Sequence, residues 1–211
     1  MAVTTQITIA GCGPGAPAYI PPMVQQAVRD ADVLVGARRL LDLFADHPGE
    51  KIPVGADIEA VLQSIEAHCA TRRVIVLVTG DPGLCSLAGP VLRHFGRAQC
   101  RVIPGISAVQ AAFAALGLDW LEARIINAHG ALPALDTATL RQSEKMAVLL
   151  GSRAGVAWAA RLLEDLGTGH RAWLCEELTL PGERIREIQP GRLEEMDIAN
   201  LSILVILNGK E

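Results

Sequence analysis

The stretch V-I-V-L-V-T-G-D-P-G-L-C-S at residues 74–86 decides how this chain folds. Its first five residues are apolar and mostly β-branched, with no polar alternation. That is the pattern of a strand covered on both faces of a parallel sheet. They run into a loop built from Gly80, Asp81, Pro82 and Gly83, and helix-compatible sequence follows at 87–95. Open α/β sheets gather ligands at the carboxyl ends of their strands, so this loop is a candidate binding element. Gly80 and Gly83 allow backbone conformations and close approaches that a Cβ would block. Pro82 fixes its own φ and removes an N–H. Asp81 is an acceptor for hydroxyl or amine donors; a plain tight surface turn is the other reading of the same four residues.

Outward from this loop, the same strand–loop–helix unit recurs. Residues 6–10 (Q-I-T-I-A) predict a strand running into G-C-G-P-G-A-P at 11–17. That loop matches the dinucleotide pattern G-x-G-x-x-[GA]. However, Pro14, Pro17, Pro21 and Pro22 keep the chain irregular, so the helix starts on proline, at residues 21–30, and not inside the glycines. No G-K-[ST] follows, so it is not a P-loop either. Residues 32–36 predict a second strand and 37–44 a helix. The acidic residue that would hold a ribose is replaced by Arg38 and Arg39, which argues against NAD. Their guanidinium forks suit an anionic substrate, and a solvated helix start is the alternative. Residues 57–70 carry Ile58, Val61, Leu62 and Ile65 at helical spacing behind Asp57, a natural N-cap. A strand at 100–103 leads into P-G-I-S-A at 104–108, with Ser107 at a capping position before a helix at 109–116. Right-handed crossovers then put all these glycine loops on one edge of a parallel sheet.

After G-L-D-W-L at 117–121 the pattern changes. Strands are expected at 124–127, 146–150, 171–175, 183–188 and 201–207, with helices near 137–142 and 155–166. The strands flanking Pro181 and Gly182 read as an antiparallel hairpin. The fold class is therefore α/β, with a parallel-sheet domain over 1–117, a mixed-sheet domain over 118–211, and a ligand cleft expected between them.

Composition narrows the function. The 211 residues carry a net charge of −4 and only seven aromatic side chains, which offers neither the basic field nor the stacking platform of a nucleic-acid binder. The five cysteines form no C-x-x-C, and no Cys/His set has metal-ligand spacing; reduced thiols in a cytoplasmic protein are expected. No uncharged apolar run reaches the roughly 18–20 residues of a membrane span.

Four segments together resemble the tetrapyrrole methyltransferases that use S-adenosylmethionine: I-T-I-A-G-C-G-P-G, A-D-V-L-V-G-A-R-R-L, the G-D-P-G-L-C-S loop and V-I-P-G-I-S-A-V-Q. They cover nearly the whole first half; V-L-L-G-S and C-E-E-L-T extend the likeness more loosely into the second. The G-D-P-G loop, the paired arginines and P-G-I-S-A-V-Q are most similar to the branch that methylates C5 of a precorrin in cobalamin synthesis. The resemblance implies two α/β domains that bind S-adenosylmethionine in a manner unlike a Rossmann fold. It implies cofactor contacts at Pro14, Gly80, Asp81, Leu84, Ser107, Ala108 and Leu150, with Thr179 and Leu201 near further contacts. Cys85 stands where many relatives carry an aromatic residue.

On this reading the acceptor is an electron-rich bridging carbon, and alignment is the enzyme's main task. The catalytic proton acceptor is not legible; His129 is a candidate, and a structural histidine is the alternative. A substrate rich in carboxylates calls for cations, expected from Arg38, Arg39 and Arg153. A homodimer is expected, and a C15-methylating, decarboxylating domain or subunit is a further partner. Two alternatives stand beside this: a relative acting on a different precorrin carbon or on uroporphyrinogen, and a non-catalytic nucleotide- or tetrapyrrole-binding module.

Overall fold

The computed structural model of the chain describes residues 7–130, 132–134, 136–199 and 201–209. The chain forms two compact units, Met1–Ser107 and Ala108–Glu211.

The first unit contains β1 (Ile7–Gly11), α1 (Pro22–Arg29), β2 (Val33–Gly36), α2 (Arg38–Asp42), β3 (Glu50–Pro53), α3 (Ile58–Cys69), β4 (Val74–Val78), α4 (Ala88–Phe95) and β5 (Cys100–Ile103). Its strands form one sheet in the order β3-β2-β4-β1-β5, every pair parallel. The strand read from residues 6–10 is thus found at Ile7–Gly11, and Gln6 lies outside the described residues.

β4 is the middle strand, and its unbroken apolar run has a direct cause. Val74, Val76 and Val78 pack on one face with Val61, Leu62 and Ile65 of α3 and Val91 of α4. Ile75 and Leu77 pack on the other with Val24 and Val28 of α1 and Leu40 and Leu41 of α2. Successive side chains of a strand point to opposite faces, so two helical layers require apolar residues at every position. Asp57 caps α3 as expected, its carboxylate accepting the Ala60 N–H at 3.1 Å. Sequence reasoning missed β3. E-K-I-P is short and half exposed, ends in proline and lies at the sheet edge, where a missing N–H is tolerated.

The second unit contains α5 (Ala108–Ala115), β6 (Arg124–Asn127), α6 (Thr137–Leu140), β7 (Lys145–Leu150), α7 (Arg153–Leu166), β8 (His170–Glu176), β9 (Arg184–Ile188) and β10 (Ser202–Asn208). Its sheet has the order β6-β7-β10-β8-β9, with β6 and β7 parallel and the other pairs antiparallel. The β8–β9 hairpin matches the expectation from Pro181 and Gly182. One face carries the core formed by Met146, Val148, Leu174, Leu204 and Ile206 with Ala159, Leu162, Leu163 and Leu166 of α7. The helix α5 lies against β10 and so belongs with this unit; its hydrophobic sequence contains no turn signal that would have shown this.

In the first unit the register sets Gly11 beside Val78 and Ala10 beside Ile103, so the three strands end within one residue of each other at the carboxyl edge. The following loops then touch. A Cβ built on Gly105 would lie 2.4 Å from the Gly80 carbonyl oxygen and 2.6 Å from that of Gly11, so only glycine fits. Gly105→Ala should therefore cost about 1–3 kcal/mol of stability, the usual range for overpacking. Gly55→Ala, where no atom lies within 4 Å of the added carbon, should stay within about 0.5 kcal/mol of wild type when both variants are titrated with urea.

Candidate functional site

Three loops meet at the carboxyl edge of the first sheet, and main-chain hydrogen bonds knit them. Cys12 N–H donates to the Val78 carbonyl at 2.9 Å. Gly13 and Gly80 then exchange a reciprocal pair, Gly80 N–H to Gly13 oxygen at 2.8 Å and Gly13 N–H to Gly80 oxygen at 3.3 Å. Both residues have positive φ, +77° and +67°, which glycine adopts without strain. Asp81 ties in the third loop. One carboxylate oxygen accepts the Gly83 N–H at 2.7 Å, and the other accepts the Gly105 N–H at 3.1 Å. Read from sequence as an acceptor open to a ligand, Asp81 is first a brace within the rim. Pro14 and Gly80 are buried, Leu84 is half-buried, and Ser107 is 7% exposed. Cys85 is exposed with φ +48°, an uncommon conformation for a side-chain-bearing residue.

The paired arginines differ in role. Arg38 and Arg39 open α2 and both are exposed. Arg39 donates to the Thr79 hydroxyl, one residue before Gly80, and so reaches the base of the central loop. Although the residue as a whole is exposed, partial desolvation of its guanidinium lowers the Arg39 pKa. Burial pushes the Cys12 thiol up to about 12 despite the opposing pull of the Arg39 charge, so Cys12 is no nucleophile at neutral pH. Cys175 is likewise pushed up to about 12, mainly by burial.

In the second unit, Leu150, Glu176 and Ser202 lie level at one end of the sheet. A cavity of about 360 Å³ opens there, lined by Leu150, Ser152, Arg153, Met196, Asp197 and Ala199 among others. Leu150 and Arg153, singled out from sequence, share it; Arg153 is the first residue of α7, which Ser152 caps by accepting the Gly155 N–H at 3.1 Å. Leu201 and Thr179 flank the same edge. The Leu201 carbonyl accepts the Glu177 N–H at 3.0 Å. Thr179 has φ +68° and donates its N–H to Glu183 at 2.6 Å. A β-branched residue in that region is a marked outlier, of the kind that clusters at binding loops.

His129 follows β6, and its imidazole occupies the space beside Gly151. A Cβ there would lie 1.4 Å from Nδ1, which explains the glycine after Leu150. The wall at 194–199 was not found from sequence. L-E-E-M-D-I-A carries no regular periodicity, and its only local signal is an acidic run before the last strand.

Each unit carries one candidate binding feature. The first is a rim of glycine loops with room for close backbone approach. The second is a cavity with an apolar floor at Leu150, Val156, Met196 and Ile198 and polar groups at Ser152, Arg153 and Asp197. Its volume lies within the range of about 300–1,000 Å³ usual for small-molecule sites.

The family model for tetrapyrrole (corrin/porphyrin) methylases matches residues 6–197. This chain belongs to that family. It is 35% identical over 180 residues to the cobalt-precorrin-7 C(5)-methyltransferase of Salmonella typhimurium, covering 85% of this chain and 88% of the relative. The solved precorrin-6Y methylase of Archaeoglobus fulgidus is 28% identical with a TM-score of 0.76, over 97% of this chain and 98% of that one. The fold is also that of the uroporphyrin-III C-methyltransferase of Thermus thermophilus solved with S-adenosylhomocysteine, at 21% identity and TM-score 0.76, covering 95% and 91%.

Asp81→Ala should remove two hydrogen bonds at once and leave the half-buried Gly105 N–H without its acceptor, a loss of about 1–3 kcal/mol; urea denaturation of the variant measures it. Thiol reactivity offers a second check. At pH 8 iodoacetamide should modify the exposed Cys85 in the native protein, more slowly than a free thiol because partial burial raises its pKa, while the buried Cys12 and Cys175 react only after unfolding, as peptide mass mapping would read out.

Proposed function

We propose that the protein transfers a methyl group from S-adenosylmethionine to C5 of a precorrin, with cobalt-precorrin-7 or precorrin-6Y as the acceptor class. The observation that carries this reading is the likeness to the Salmonella enzyme, which extends over most of both chains. The glycine rim and the cavity beside Leu150 support it. The cofactor residues are proposed to be Pro14, Gly80, Asp81, Leu84, Ser107 and Ala108 from the first unit, and Leu150, Thr179 and Leu201 from the second.

When bound, the donor supplies an electrophilic methyl on a sulfonium sulfur. The protein's own contribution is alignment and exclusion of water, because an electron-rich meso carbon needs no covalent help from a side chain. Asp81 holds the Gly80 and Gly105 loops in one arrangement before any ligand arrives, so the rim is preorganised. Arg38 and Arg153, both exposed at helix starts, are the proposed partners for substrate carboxylates; Arg39 divides its fork between that task and Thr79. No helix among the described residues is long and apolar enough to cross a membrane; a cytoplasmic location, a homodimer and a separate C15-methylating partner complete the proposal.

Calorimetry should detect micromolar binding of S-adenosylhomocysteine and none of NAD. Incubation with donor and cobalt-precorrin-7 should add the mass of one methylene, located at C5 by NMR of the product. Binding without turnover of any tetrapyrrole would leave only a binding module, and methylation elsewhere on the macrocycle would reassign the acceptor carbon.

A further inference from the structure

We propose that Glu176 and Ser202 form a clamp on the backbone of Ala199, one on each side of its Cα, that sets the shape of the cavity beside Leu150. Both are positioning residues; neither lines the cavity. Among the described residues only three polar side chains are buried, Ser107, Glu176 and Ser202, and two of the three converge on the backbone of this one residue. The Glu176 carboxylate accepts the Ala199 N–H at 3.1 Å, and the Ser202 hydroxyl donates to the Ala199 carbonyl at 2.5 Å.

The cost of this arrangement argues for its use. Glu176 is fully buried, and an isolated carboxylate is not tolerated there. Arg184 and Arg186 supply the compensation, at 3.2 and 2.5 Å. They are two apart on β9 and so project to the same face. Two charges would satisfy the carboxylate without reaching outside the hairpin. The third bond goes instead to a segment that is neither helix nor strand. That segment, Met196 to Ala199, forms one wall of the cavity opposite Leu150, Gly151 and Arg153. Among the described residues its other backbone tie is a bond of 3.3 Å from Met196 N–H to the Leu193 carbonyl. The clamp therefore substitutes for the strand pairing that the wall lacks. It holds the wall through side chains anchored at the ends of β8 and β10.

The consequence for ligand binding rests on the proposed function, in which this cavity receives part of the S-adenosyl donor. The test has two readouts that separate the claims. Hydrogen exchange on a peptide spanning 196–201 needs no ligand. It should be slow in wild type and markedly faster in Ser202→Ala and Glu176→Gln, with exchange at the first sheet unchanged. Calorimetry with S-adenosylhomocysteine should show affinity lowered about tenfold or more in the same variants. The double variant should lose less than the sum of the two singles, because both groups hold the backbone of one residue. Arg184→Met keeps both clamp bonds. It should lower the melting temperature while leaving affinity within about twofold of wild type, so stability loss alone does not mimic the effect. If Glu176→Gln does not fold, Ser202→Ala decides alone. Unchanged exchange at 196–201 in the folded variants overturns the clamp. Faster exchange with unaltered affinity overturns its link to the donor. Failure of the wild type to bind S-adenosylhomocysteine overturns the functional reading, with the exchange data still deciding the clamp.

Discussion

The first unit depends on the contact between main chains at Gly11, Gly80 and Gly105. Three parallel strands end within one residue of each other, and the loops that leave them must turn away within a few ångströms of one another. Side chains cannot occupy that space. What fills it is backbone hydrogen bonding, with Gly13 and Gly80 pairing reciprocally and Asp81 supplying the acceptor that the Gly105 N–H would otherwise lack. A buried main-chain donor must find a partner, and here each partner lies on a neighbouring loop. The glycines that admit the contact and the aspartate that satisfies it therefore form a single structural feature. A preorganised rim is the by-product, and such a rim is what an alignment enzyme needs.

The second unit solves the same problem differently. Its sheet is mostly antiparallel, and one end gathers Leu150, Glu176 and Ser202. No run of glycine loops lies there. Irregular chain at 194–199 closes the space instead, and buried polar side chains hold it. Glycine appears where packing demands it: Gly151 makes room for the His129 ring, and Gly155 lets α7 approach the Ala128 carbonyl. His129 thus has a structural reason for its place beside the cavity, whatever part it plays in proton transfer.

The two arginines after β2 show how one sequence signal divides in three dimensions. As a pair they advertise an anion site. In the fold Arg39 reaches Thr79 and so braces the central loop, while Arg38 stands at the exposed start of α2. Adjacent helical residues point about 100° apart, and that angle alone separates a brace from a free cation.

Much of this architecture was legible in the amino-acid order because it follows from short-range rules. The V-I-V-L-V run required cover on both faces, proline delayed α1 beyond the first glycine loop, and Asp57 capped α3. The β8–β9 hairpin followed from Pro181 and Gly182 for the same reason. β3 escaped because an edge strand of four residues carries almost no periodicity, and α5 was drawn to the second unit by packing on β10 that no local signal encodes. The candidate site divides along the same line. Glycine, proline and aspartate at strand ends marked the first rim, since those residues are constrained by their own backbone chemistry. The engagement of both Asp81 oxygens, the Arg39–Thr79 contact and the clamp on Ala199 join residues distant in sequence, and only the register of the assembled sheets brought them within hydrogen-bonding reach.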